Sequence, residues 1–142
     1  MALTNDRELR ALLEGTHSIA VLGIKDGAHD DAFRVPRYLQ RAGFAIRPVS
    51  PKLREVLGER AVASLAELDE PVDMINVFRA PANIPAHVDE ILALRHKPKS
   101  VWLQLGIAHP ATAKLEAAGI AVVENLCLMV EHARLFGRAA EH

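Results

Sequence analysis

Cysteine is almost missing from this chain: Cys127 is the single one among 142 residues. Neither an internal disulfide nor a cysteine-built zinc cage can form, a usage that suits a reducing cytosol. Excess charge is missing too. With 17 lysines and arginines against 18 acids the net charge is −1, which argues against broad nucleic-acid binding. No apolar run approaches membrane-spanning length and Met1 to Gly15 is charged, so a soluble cytoplasmic protein without a membrane partner is expected. The seven histidines show neither HxxxH nor HExxH spacing, which leaves no expected metal site. Linker-like and low-complexity stretches are absent as well, so residues 1–142 read as one domain, and 50% hydrophobic residues suffice for an ordinary core.

What the chain does have is a series of short apolar runs punctuated by glycine. Asn5 to Leu13 can form a lead-in helix stopped by Gly15, and His17 to Leu22 is a β-prone run ended by Gly23. Asp30 or Asp31 can cap a helix running to about Arg41, with Pro36 in its first turn or just after. Phe44 to Val49 reads as a second strand. Because Pro48 cannot donate to a ladder, that strand belongs at or near an edge. Arg60 to Val62 can add a very short strand beside it, followed by a helical turn from Ser64 to Leu68.

Val72 to Phe78 is the next buried strand, and Asn83 is expected to cap a helix whose apolar face is Ile84, Val88, Ile91 and Leu92. Ser100 to Leu105 and Ile120 to Val123 are further strands around a short helix opened by Pro110. Asn125 is expected to cap a last helix through about Phe136. Strands alternate with helices, and the strands are too continuously apolar to face water. The fold class is therefore α/β: a single-domain, doubly wound, mainly parallel sheet with helices on both faces, Rossmann-like.

Three cations close three successive apolar runs. Lys25, Lys52 and Arg79 stand 27 residues apart, and Gly106 closes a fourth run 27 further on. That period is about one strand–loop–helix unit, so a parallel sheet gathers these positions on one edge. Ligands of such sheets bind at the carboxyl ends of the strands, where the strand order reverses. A positive crevice there points to a phosphate-rich ligand. Gly23 allows a sharp turn, the following helix offers an N-terminal anion site, and Arg34 near its first turn can add a bidentate contact.

The dinucleotide fingerprint G-x-G-x-x-G is not met, since the turn reads Gly23-Ile24-Lys25-Asp26-Gly27-Ala28. After the second strand, where NAD-binding folds tend to place an acid, the chain has Val49-Ser50-Pro51-Lys52. A cation at that point favours a nucleotide with an extra ribose phosphate, such as coenzyme A or NADP. Phe78 can pack on adenine or a pantetheine chain and Arg79 can reach a phosphate. Taken one at a time, all of these also read as a turn glycine, a rim aromatic and solvated surface charges. Cys127 is the candidate reactive thiol, near a helix N-terminus whose dipole favours thiolate; its apolar neighbours Leu126, Leu128 and Met129 equally suit a buried, inert thiol. Asp73 begins its strand instead of ending it, which disfavours a receiver-type nucleophile.

The segments PVSPK (Pro48 to Lys52), VDMINVFR (Val72 to Arg79) and VWLQLGI (Val101 to Ile107) resemble the small stand-alone CoA-binding proteins of bacteria and archaea. They are also similar to the CoA-binding N-terminal domain of the succinyl-CoA synthetase α subunit and of ADP-forming acyl-CoA synthetases. The resemblance covers nearly the whole chain. It implies a coenzyme A or acyl-CoA ligand contacting Gly23, Ile24, Lys25, Arg34, Ser50, Pro51, Lys52, Phe78, Arg79, Gln104, Leu105 and Gly106. One departure stands: family first turns are often Gly-Ala-Ser, whereas this one is Gly23-Ile24-Lys25. The larger ligases carry a phosphorylated histidine in a further domain, so ligase activity is not implied and a non-catalytic CoA-binding protein is the leading expectation. An NADP-binding redox enzyme or sensor is the alternative, and an interaction module that has lost its ligand is a third. A homo-oligomer or protein partner is left open.

Overall fold

The computed structural model describes residues 2–137. Five parallel strands form the sheet: β1 (Ser18–Leu22), β2 (Ala45–Val49), β5 (Met74–Val77), β6 (Ser100–Leu103) and β7 (Ala121–Val123), in the order β2-β1-β5-β6-β7. A separate two-residue hairpin, β3 (Glu55–Val56) and β4 (Glu59–Arg60), follows β2. The chain winds outward from β1 to β2, then returns to add β5 on the other side of β1. The strand order therefore reverses between β1 and β5, as the doubly wound reading requires.

Side chains alternate along each strand and fill two cores. On one face Ile19, Val21, Ile46, Met74 and Trp102 pack under α1 (Asp6–Glu14), α2 (Asp31–Arg41) and α5 (Leu128–Phe136). On the other, Ala20, Leu22, Ile75, Val77 and Leu103 pack under α3 (Ile84–Leu92) and α4 (Ala113–Ala117). Strands buried on both faces explain the continuous apolar runs of the sequence.

Both sheet edges are covered. Leu3 N–H donates to the Val122 carbonyl at 2.8 Å along β7. Along β2, Ser50 N–H donates to the Val62 carbonyl at 2.8 Å and Val62 N–H to the Pro48 carbonyl at 3.1 Å. Pro48 is thus on the edge strand as expected. Its carbonyl faces outward, so its missing N–H removes no bond to β1.

Pro36, the sixth residue of α2, has a positive consequence. The Ala32 carbonyl, which its N–H would have engaged, instead accepts from Lys25 N–H at 3.1 Å. A helix-interior proline thereby ties the loop after β1 to the first turn of α2.

Two expected caps are not caps. Asn83 closes a 3₁₀ turn, Pro81–Asn83, that runs into α3, so its backbone is already helical and its side chain caps nothing. Asn125 lies two residues before the N-cap of α5, which is Cys127. Asn125 adopts left-handed backbone (φ 59°) and its side chain serves a different loop. Both misreadings have one cause: a polar residue ahead of an apolar run looks like a cap whether or not the helix begins there.

Candidate functional site

The carboxyl ends of β2, β1, β5 and β6 finish in register, Val49 beside Leu22, Leu22 beside Val77 and Val77 beside Leu103. Pairing continues one residue further. Gly23 N–H donates to the Val49 carbonyl (3.0 Å), Phe78 N–H to that of Leu22 (2.9 Å) and Gln104 N–H to that of Val77 (3.2 Å). Gly23, Ser50, Phe78 and Gln104 consequently stand side by side on one rim. Gly23 has φ +87°, and a Cβ there would lie 2.5 Å from the Phe78 carbonyl oxygen. Only glycine lets the two backbones approach this closely at the switch point.

Over β1, β5 and β6 lies a cleft of about 550 Å³, a size ordinary for small-molecule sites. It brings together Lys25, Arg34, Phe78, Arg79, Gln104, Leu105 and Cys127. Arg34 is paired with Asp31 on its own helix, and Asp30 also lines the cleft, so not all of the positive charge is uncompensated. Among the described residues neither Lys25 nor Arg79 pairs with an acid. Arg79 donates through Nε to Nε2 of His87 (3.3 Å), whose Nδ1 lies 3.0 Å from a Glu90 carboxylate oxygen. Nδ1 must therefore carry the proton, and the Arg79 terminal nitrogens remain available for a bidentate anion contact. His87 and Glu90 escaped the sequence reading; their only signal was a three-residue spacing on the helix after Arg79.

Several expected contact residues turn out to have structural duties. Ile24 is 2% exposed and packs in the core with Val35 and Leu39, so only its backbone can face a ligand. The Gln104 side chain is buried; its amide oxygen accepts from Leu128 N–H at 2.9 Å, which caps α5, and from Asn76 Nδ2 at 3.3 Å. Gly106 N–H donates to the Asn125 side chain at 2.7 Å, while Asn125 N–H donates to the Ile107 carbonyl at 3.0 Å. These two bonds fix the loop that carries Leu105. Cys127 is half-buried at the N-cap of α5 and makes no side-chain capping bond.

The second-strand motif sits to one side. Ser50 is buried and its Oγ accepts from Lys52 N–H at 3.1 Å, shaping the Pro51-Lys52 turn. Ser50 and Pro51 line a larger groove of about 930 Å³ beyond β2, whereas exposed Lys52 lines neither concavity. The larger groove is the poorer candidate. It lies off the edge strand instead of over the strand-order reversal, and Glu59, Glu67, Asp69 and Glu70 offset Arg47, Arg54 and Arg60. Among the described residues no cluster of histidine, cysteine and acidic side chains is placed to hold a metal ion, and no helix is long and apolar enough to cross a membrane.

A family model described as a CoA binding domain matches residues 17–133, a span containing the whole rim from Gly23 to Cys127. The chain belongs to this CoA-binding domain family. Relatives cover it nearly end to end. The YneT protein of Bacillus subtilis (strain 168) is 35% identical over 127 residues, 89% of this chain and 93% of its own. Among solved structures, cell-free ID.343 from Thermus thermophilus is 51% identical and covers 94% of this chain and 100% of its own, with a TM-score of 0.87. A Pyrococcus horikoshii OT3 protein is 30% identical with a TM-score of 0.88, covering 94% of each chain. Both solved relatives thus share this Rossmann-like fold.

Proposed function

We propose that this protein binds coenzyme A along the carboxyl rim of its sheet, without catalysis of its own. The observation carrying this reading is the cleft at the β1/β5 reversal of a CoA-binding family member, where Gly23 holds two backbones together beneath Lys25, Arg34 and Arg79. Coenzyme A has a pyrophosphate and a 3′-phosphate at one end and a long, weakly polar pantetheine arm at the other. Lys25, Arg34 and Arg79 serve the pyrophosphate, with the N-terminus of α2 adding roughly half a positive charge. Phe78 lines the path of the arm, which continues past Gln104 toward Leu105. Ser50 and Pro51 set the turn that carries Lys52, whose reach from the neighbouring strand end suits the 3′-phosphate.

Titration calorimetry with coenzyme A, dephospho-CoA and NADPH tests the proposal. Coenzyme A is expected to bind tightest. Equal or tighter binding of NADPH would favour a redox cofactor, and equal binding of dephospho-CoA would remove the role given to Lys52.

A further inference from the structure

Among the described residues, two large hydrophobic side chains are exposed, Leu105 at 68% and Val130 at 52%. A lone exposed leucine needs no explanation. Here both line the same cleft, and half-buried Ile107, Met129 and Cys127 line it beside them. The cleft is therefore polarised. Lys25, Arg34 and Arg79 arrive from β1, α2 and β5, while the apolar group arrives from the end of β6 and the first turn of α5. β1 and β6 are two strand spacings apart, about 10 Å, so the two halves are separated by a distance a pantetheine arm can span.

From this polarity we infer that the preferred ligand is a CoA thioester carrying a medium-length acyl chain, with the chain lying over Leu105, Ile107, Met129 and Val130. The inference rests on the coenzyme A reading and narrows it. Free coenzyme A ends in a thiol, which would leave the exposed apolar surface wet. An acyl chain extends the ligand with groups that gain from covering that surface. Full burial of a methylene is worth about fourfold in affinity, and half-coverage on an open rim about twofold. The charge at the other end selects this occupant over a purely apolar one, because a free fatty chain would leave Lys25 and Arg79 unanswered.

Calorimetry with coenzyme A, acetyl-CoA, butyryl-CoA and octanoyl-CoA reads the effect directly. Affinity should climb with chain length, octanoyl-CoA binding at least about tenfold tighter than acetyl-CoA. A Val130→Asn variant should shrink that ratio. If coenzyme A binds and the ratio is below tenfold, the thioester inference fails while the coenzyme A reading survives. If no member of the series binds, both fail. Sedimentation of the same variant tests a rival occupant: a dimer lost in Val130→Asn with the ratio unchanged would assign the apolar end to a second copy and overturn the inference.

Discussion

The two ends of the sheet are built from the same strands yet treat charge in opposite ways. At the amino edge, the Asp73 carboxylate accepts from the N–H groups of His17 (2.7 Å) and Ser18 (3.2 Å), with Lys99 Nζ 3.5 Å away. Ser18 Oγ in turn accepts from Asp73 N–H at 3.0 Å. Burial acts to raise the Asp73 carboxyl, but the two N–H donors and Lys99 outweigh it and hold the group below the usual carboxylate range. At the carboxyl edge, among the described residues, Lys25 and Arg79 pair with no acid, and Arg79 donates through Nε to His87. One end consumes its polar groups to lock β1 to β5. The other, among the described residues, leaves Lys25 and the terminal nitrogens of Arg79 without an acidic partner, and the proposed binding rests on that difference.

The sharpest way to break this contrast is at Gly23, where both demands meet. Gly23→Ala places a Cβ against the Phe78 carbonyl in left-handed backbone, and is expected to cost about 2–4 kcal/mol of stability as well as coenzyme A affinity. Thermal unfolding and calorimetry on the same sample would show both losses; retention of either would mean the rim adapts.

Next, single-edge variants should separate the two functions. Arg79→Ala is expected to weaken coenzyme A about ten- to hundredfold with little change in unfolding midpoint. Asp73→Ala should do the reverse, costing about 1–3 kcal/mol of stability and leaving the coenzyme A Kd near that of the wild type. Crossed outcomes would erase the distinction between the edges.

Lys52→Ala is the finer test. The lysine is exposed and lines neither concavity, so its contact with a 3′-phosphate would be less desolvated, about three- to tenfold in coenzyme A affinity. Dephospho-CoA should hardly notice the change. Equal losses for both ligands would show that Lys52 reads no ribose phosphate.

The smallest effect concerns pH and the helical layer far from the rim. His132 on α5 is buried, stacks on Phe136, meets Phe44 edge-on, and has Tyr38 Oη 2.9 Å from its Nδ1. Burial lowers its pKa from the ordinary 6.5. The unfolded chain therefore binds the proton more readily, so the stability from neutral His132 is present above pH 6.5 and lost as pH falls from there through the folded value. Urea unfolding midpoints should decline across that window, and His132→Phe should flatten that part of the profile.

The alternation of elements, the edge position of β2 and the shared rim were all legible in the chain, because periodicity, proline and glycine act over a few residues and strand ends in a parallel sheet converge by topology. The family resemblance was legible in three short segments. Side-chain duties were not. Ile24 and Lys25 are neighbours in sequence, yet one faces the core and the other the cleft. Gln104 was expected as a ligand contact, and nothing local showed that its side chain also caps a helix 24 residues away. Asn83 and Asn125 looked like caps and are not.

What the sequence determined alone is therefore the scaffold and the edge on which its cations collect, since both follow from local preferences and strand direction. Tertiary structure decided which of those cations enter the cleft, which is paired with a neighbouring acid, and that exposed apolar surface shares the site with them. Those outcomes depend on where helices α2 and α5 come to rest over the strand ends, and long-range packing sets that position.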